Sequence, residues 1–254
     1  MLLSIPCSLC PFARSASHHF APLLHRFAPV TGTTRAEAAE SCLAIMHRAY
    51  QGGVNTFDNA EAYAAGGAET LMGDAVRMGI ERRLWTREDL VLTTKIMFGA
   101  MPRRGSSGYI KGAMAVNRMG LSRKHVVEGL VASLERMGLA YVDLVFCHRP
   151  DPVTPMEEIV RVFNHLIDRG LAFYWGTSEW SAAELMEAKA VADRLGLIPP
   201  LMDQPEYSLF ARQRVEVEYV EVEVEECVCM TLCVYDTVTY TYTEWRSSAS
   251  GRMW

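Results

Sequence analysis

The sequence predicts an α/β fold, an incomplete (β/α)8 TIM barrel with about five recognisable strands. Three observations predict it. Between about residues 34 and 205, helix signals alternate with short apolar runs. Those runs are mostly continuous in apolar character, the pattern of strands covered on both faces. The connections are short, which requires right-handed βαβ crossovers and a parallel sheet. An open doubly wound sheet is the competing architecture. No G-x-G-x-x-G turn follows any of these strands, which argues against its dinucleotide-binding form. Polar residues at the ends of several different strands favour the barrel.

The first helix begins near Thr34, where T-R-A-E forms a capping box, and stops at Gly52 and Gly53. Residues 54–58 are a short strand. Residues 69–78 are helical, with Leu71, Met72, Ala75 and Val76 on one side. Residues 90–94 form the second strand. Over 122–137, Val126, Leu130, Leu134 and Met137 recur at helical spacing. Residues 141–147 are the third strand. T-P-M-E at 154–157 opens the next helix, with Thr154 as cap, proline in the first turn and a glutamate three residues on. That helix runs to Gly170, and residues 171–176 are the fourth strand. S-A-A-E at 181–184 caps a helix ending near Gly196, and residues 200–204 are the fifth strand. The longest connection, Phe98 to Gly120, is rich in Gly, Arg and Ser and reads as a mobile loop at the active face. The 81–88 run, E-R-R-L-W-T-R-E, reads as a solvated loop.

Two ends fall outside this pattern, leaving 34–219 as the partial barrel. Residues 1–33 lack acids and mix Arg, Ser, His and Pro with apolar residues, so they read as disordered or as an organelle transit peptide. From Val215 the chain turns to alternating Val and Glu, then to a Cys/Val/Thr/Tyr-rich stretch. GT-rich repetitive DNA encodes such a composition, and the expectation is a retained intron or frame error near residue 220, with 220–254 mistranslated.

A net charge of −5 gives no reason to expect a nucleic-acid partner. The charge is uneven: residues 1–36 carry +3 and residues 215–254 carry −6. No apolar run approaches the ~20 residues of a membrane-spanning helix. The seven cysteines form no disulfide framework, and no second ligand pair completes a zinc site with Cys7 and Cys10. No metal is expected. Reduced thiols fit a cytoplasmic compartment, with organelle targeting left open by the first 33 residues.

Three segments carry the chemistry: F-D-N-A-E-A-Y (57–63), T-T-K (93–95) and C-H-R-P-D (147–151). They put Asp58, Tyr63, Lys95 and His148 just past three successive strands. If those strands are parallel neighbours, the four groups converge at one end of the sheet. Such a cluster suits proton delivery to a carbonyl during hydride transfer. A free phenol holds its proton at a pKa near ~10, and a neighbouring ammonium lowers that by about 1–3 units. Lys95 would do this to Tyr63, Asp58 would hold Lys95 charged, and His148 would orient the carbonyl oxygen. Taken singly, each residue has a plainer reading: a capping acid, a packed aromatic, a solvated lysine, a histidine in a local hydrogen bond.

The middle of the chain resembles the aldo-keto reductases, most closely the β-subunits of voltage-gated potassium channels of the plant and algal type. The resemblance rests on G-G-V-N-T-F-D-N-A-E-A-Y, L-V-L-T-T-K, G-L-S-R-K-H-V-V-E-G, Y-V-D-L-V-F-C-H-R-P-D-P, F-Y-W-G-T-S-E-W-S and P-E-Y-S-L-F-A-R-Q-R-V-E, in family order over about residues 43–219. It implies a (β/α)8 barrel that binds NADPH at the C-terminal ends of its strands. Asp58, Tyr63, Lys95 and His148 would be the catalytic tetrad. Asp58, Lys95 and His148 would also face the cofactor, with Ser178, Glu179 and Gln204 on its nicotinamide side. The implied activity is reduction of aldehydes or ketones. The implied partners are a small carbonyl substrate, a channel α-subunit at the inner face of a membrane and further copies in a tetramer.

The chain also departs from the family. Residues 1–33 do not resemble the first barrel strand and its turn, and nothing after residue 219 resembles the seventh and eighth strands. The loops after those last strands hold the cofactor phosphates in the family, so the expectation is weakened NADPH binding. Five strands leave two open edges, and the Val/Glu run is a poor substitute because it would bury its glutamates. An inactive, truncated product of a faulty gene model is the third functional expectation.

Overall fold

A computed structural model describes residues 2–4, 18–20, 34–100, 116–220 and 229–234. Its elements are β1 (Leu2–Ser4), β2 (His18–Phe20), α1 (Arg35–Gln51), β3 (Thr56–Asp58), α2 (Gly67–Glu81), β4 (Val91–Ile96), α3 (Arg123–Met137), β5 (Val142–Cys147), α4 (Met156–Asp168), β6 (Ala172–Thr177), α5 (Ala182–Leu195), β7 (Met202–Asp203), β8 (Glu206–Tyr207), α6 (Gln213–Glu216) and β9 (Cys229–Val234).

Local chemistry starts the helices where their first amides find acceptors. Thr34 Oγ1 accepts from the Glu37 amide at 3.3 Å, and Glu37 accepts in return from the Thr34 amide at 2.8 Å. Ser181 and Glu184 repeat this box before α5, at 3.3 and 2.8 Å. α4 differs from the expectation. Its cap is Pro155, without a side-chain bond, and Thr154 Oγ1 donates to Asp151 Oδ2 at 2.7 Å, three residues back.

Strands β3 to β7 are consecutive parallel neighbours, the curled half of an incomplete (β/α)8 barrel. Their register pairs Asp58 with Thr93, Lys95 with Phe146, and Thr177 with both Cys147 and Asp203. The C-terminal ends of β4 to β7 therefore lie level along one rim, while β3 stops opposite Thr93, three residues before the end of β4. Leu92, Val145 and Trp175 are buried on these strands and pack with residues of the covering helices, including Met72, Leu130 and Phe163. A second buried group, Leu144, Phe146 and Met202, fills the opposite face. Continuous apolar strands follow from this two-sided cover.

The expectation of two open edges is corrected. β2 runs parallel beside β3, β9 runs parallel beside β7, and β1 joins β2 and β9 in antiparallel pairing. Edge amides and carbonyls need partners, and short stretches from both ends supply them. The strand beside β7 comes from the cysteine-rich stretch, not from the Val/Glu alternation.

That alternation is itself corrected over its first residues. Gln213–Glu216 is helical and Glu218–Val220 is a 3-10 turn. Val215 and Tyr219, four apart, are buried, while Glu216 and Glu218 pair with Arg212 and Arg214. The local period is helical. Residues 221–228 and 235–254 lie outside the described residues, as do 5–17 and 21–33, and with them most of the expectations for the two ends. The expectation of a mobile loop falls largely on 101–115, also outside.

The 81–88 run is not solvated throughout. Trp85 is buried, donating its indole N–H to the Val76 carbonyl at 3.2 Å and standing edge-on to Tyr50 at 5.5 Å. Arg87 reaches Asp143 at 2.7 Å, and Asp143 also accepts from the Leu92 amide at 2.8 Å. Cys42 and Cys147 are buried free thiols, and burial pushes Cys42 up to about 12. Among the described residues no group of three or more side chains could hold a metal, and no helix is long and apolar enough to cross a membrane.

α2 and α3 pack so closely that Gly73 faces bare backbone: a Cβ there would lie 2.1 Å from the Met137 carbonyl oxygen. No flexible side chain can yield at that point. Gly73→Ala is expected to destabilise the protein by about 1–3 kcal/mol, read as a lower urea midpoint at unchanged slope.

Candidate active site

The rim at the C-terminal ends of β3, β4 and β5 carries the tetrad of the sequence reading. Asp58 ends β3, and its carboxylate pairs with the Lys95 ammonium. The two side chains are 7% and 3% exposed, so each charge is offset by the other where little water reaches. Thr93 Oγ1 donates to Asp58 Oδ1 at 2.5 Å, and Lys95 Nζ also donates to the Asn59 carbonyl at 2.9 Å. The ammonium is thus held by one charge and one dipole, both from the neighbouring strand.

Tyr63 arrives on a loop that continues the pairing of β3 with β4. The Asn59 amide donates to the Thr93 carbonyl and the Glu61 amide to the Lys95 carbonyl, each at 3.1 Å. After Tyr63 the backbone turns left-handed at Ala64, Ala65 and Gly66, with φ of 49°, 55° and 87°. An L-residue pays roughly 1–2 kcal/mol there. Gly66 has a second reason to be glycine, since a Cβ would lie 2.7 Å from Arg136 Cδ.

This turn leaves the Tyr63 ring half-buried, 5.0 Å from Lys95 Nζ. His148, just past β5, stands edge-on to the same ring at 5.6 Å. Phe98 also packs edge-on against His148, at 5.1 Å. The structure brings Asp58, Tyr63, Lys95 and His148 together.

Ser178, Glu179 and Gln204 form a second group, past β6 and β7. Ser178 Oγ donates to the Gln204 carbonyl at 3.0 Å and accepts from Arg149 Nη1 at 3.1 Å. Arg149 also donates to the His148 carbonyl at 2.5 Å, which ties this group to the tetrad. Glu179 has φ of 62°, and its carboxylate accepts from Arg214 at 2.5 Å. Its side chain is engaged by a cation of the C-terminal segment.

Sequence reasoning missed Glu61, Phe98, Arg149 and Asp203. Glu61, 1% exposed, accepts from the Met97 amide at 2.7 Å and the Gly99 amide at 2.8 Å. It thereby holds the turn that presents Phe98 to His148. His125 Nε2 lies 3.5 Å from the other Glu61 oxygen. Burial works against the imidazolium, yet Glu61 and the Gly120 carbonyl outweigh it and raise His125 above the ordinary histidine value. An acid at position 61 inside F-D-N-A-E-A-Y was the available signal; its amide partners, 36 and 38 residues on, leave no mark in sequence.

The model of the aldo/keto reductase family matches residues 29–230. This chain belongs to the aldo/keto reductase family. An Oryza sativa subsp. japonica protein described as a probable voltage-gated potassium channel subunit beta is 46% identical over 209 residues, covering 82% of this chain and 55% of that protein. An Arabidopsis thaliana protein of the same description is 52% identical over 169 residues, covering 66% of this chain and 46% of that protein. The chain spans about half the length of these curated relatives. Aldo/keto reductase membership fits the half-barrel and the level rim.

Removing the Glu61 carboxylate strands two amides in the turn that carries Phe98. Glu61→Ala is expected to cost about 1–3 kcal/mol for each amide left unsatisfied, measured by chemical denaturation. Glu61→Gln, which keeps an acceptor, should lose clearly less.

Proposed function

We propose that this chain carries the site of an NADPH-dependent reductase of aldehydes or ketones, with Tyr63 as proton donor. One observation carries the reading: a buried ammonium, Lys95, held by Asp58, lies beside the ring of a half-buried tyrosine that His148 also touches. An ammonium at that place favours the phenolate and so makes the phenol a better acid near neutral pH. Asp58 keeps Lys95 charged. Tyr63 releases its proton to the carbonyl oxygen, and His148 orients that oxygen by a hydrogen bond. The small carbonyl substrate enters on the Tyr63 side of the rim, against Phe98.

The residues present fit a nicotinamide. Ser178 brings a hydroxyl and Gln204 a carboxamide to adjacent strand ends, the chemistry that pairs with a carboxamide-bearing ring. Ser178, Gln204 and Glu179 would hold that ring, with Asp58, Lys95 and His148 beside it. When bound, NADPH supplies the hydride that goes to the carbonyl carbon.

The relatives favour a second reading, compatible with the first. Both are described as probable channel β-subunits. On this reading the chain assembles with a voltage-gated potassium channel α-subunit at the cytoplasmic face of a membrane, as one copy of a homo-oligomer. A pull-down with a channel's cytoplasmic domain tests it; a folded protein that captures nothing sinks it.

For the reductase reading, NADPH should quench the protein's fluorescence at micromolar concentrations. Tyr63→Phe should retain that quenching and lower kcat for an aldehyde by about 10²–10⁴-fold. A Tyr63→Phe protein as active as the parent would exclude the proton-donor role.

A further inference from the structure

Asp203 lies wholly buried at the end of β7, one residue before Gln204. Its Oδ1 accepts from Thr177 Oγ1 at 2.7 Å and from the Trp180 amide at 3.4 Å. Its Oδ2 lies 3.0 Å from the hydroxyl of Tyr219, which also contacts the Trp180 carbonyl oxygen. A phenol has one proton to give. With Asp203 ionised, Tyr219 faces two acceptors and can satisfy one. With Asp203 protonated, both contacts are hydrogen bonds: Oδ2–H donates to the Tyr219 oxygen, and Tyr219 donates to the Trp180 carbonyl.

We propose that Asp203 is the positioning residue of the Ser178–Gln204 edge and that its relay is complete when the carboxyl holds a proton. Its relay fastens three pieces of chain. It holds the turn from Thr177 to Trp180, which contains Ser178 and Glu179. It holds β7, which continues into Gln204. It holds the C-terminal helical segment through Tyr219, whose neighbour Glu218 accepts from the first amide of α5 at 2.8 Å. The clamp touches none of the reacting groups and acts through Ser178 and Gln204, so its bearing on cofactor binding rests on the reductase reading.

The surroundings agree with a retained proton. Burial pushes the Asp203 carboxyl up to about 6, against the Thr177, Tyr219 and Trp180 bonds, which pull it down. The charged and titratable neighbours of Asp203 are Cys147 on β5, Glu179 past β6 and Tyr219, and Tyr219 in turn faces Arg214 and Glu218 on the C-terminal segment. Glu179 raises the carboxyl further. A folded-state pKa above the ordinary carboxylate value means that the folded state binds this proton more tightly than the unfolded chain. The stabilisation is complete at acid pH, below the unfolded value, and is lost as pH rises through about 6.

The test follows isotope-labelled aspartate carboxyl carbons of the full chain by NMR, with Asp203 assigned by its loss in Asp203→Asn. The expected signal titrates near pH 6 or above. A carboxyl still ionised down to the ordinary carboxylate range overturns the proposal. Hydrogen exchange of amides 178–180, corrected for intrinsic rates, is the second readout. Asn at 203 can donate to Tyr219 as the acid does, so Asp203→Asn should keep their protection and remove its pH dependence. Tyr219→Phe and Asp203→Ala should each lose protection by about tenfold, the worth of one hydrogen bond. Asp203→Asn exchanging as fast as Asp203→Ala, or as fast as Tyr219→Phe where the alanine variant does not fold, also overturns it. The ratio of parent to Asp203→Asn affinity for NADPH should fall from pH 5.5 to 8, since the titration of the cofactor's own phosphate is common to both proteins. If no variant binds NADPH, the reductase reading fails, while the carbon signal and the amides still decide the role of Asp203.

Discussion

A lysine ammonium buried to 3% exposure constrains everything around it. Stripped of water it must meet a charge and further acceptors, or it loses its proton. Lys95 meets Asp58, the last residue of the strand beside its own, and the carbonyl of Asn59, the residue after it. That requirement sets the pairing of β3 with β4, in which Asp58 stands opposite Thr93 and can also accept the Thr93 hydroxyl. It also dictates the path of the chain after β3, because the Asn59 carbonyl must turn toward the amine before Tyr63 can reach the rim. The left-handed residues after Tyr63 follow from the same demand, since the chain must reverse at once to begin α2. Helix packing compensates that strain.

The same device recurs around the rim. Glu61 fastens the turn after β4, and Asp151 accepts from the Leu121 amide to fasten the stretch after β5. Glu69 joins Thr94 to Arg136, and Asp203 joins β6 to β7. Each carboxylate accepts from groups on another segment, mostly backbone amides or hydroxyls. Such bonds are directional and cannot slide as apolar contacts can, so loops without regular structure acquire fixed positions. Burial of so many acids costs desolvation, and only full hydrogen bonding offsets it.

The tetrad was legible because parallel strands with short crossovers leave few places for residues just past a strand. Asp58, Tyr63, Lys95 and His148 sit within a few positions of strand ends, so strand order alone brings them near one another. Helix starts at Thr34 and Ser181 were legible because both partners of each box lie within four residues. Where the partner is distant, local reading fails. Trp85 and Arg87 lie in a charged run, yet Trp85 stands against Tyr50 and Arg87 pairs with Asp143, 56 residues on. The Val/Glu run misled for another reason. Alternation admits a strand, but spacing of four between Val215 and Tyr219 also fits a helical turn, and the buried acceptor at Asp203 decides between them.

That last choice connects the C-terminal segment to the chemistry of the rim. A strand beginning at Val215 would carry Tyr219 past Asp203, leaving the buried carboxyl without its Tyr219 partner. The helical turn instead places Arg214 against Glu179 and Tyr219 against Asp203, one residue on either side of the Ser178–Gln204 contact. The segment therefore neutralises one acid and engages the other at the edge where the nicotinamide side of the site is proposed. Its docking and the geometry of Ser178 and Gln204 are consequently one equilibrium. Any interaction that pulls the segment away leaves Glu179 without Arg214 and Asp203 without Tyr219, and both losses fall on the two side chains proposed to hold the cofactor ring.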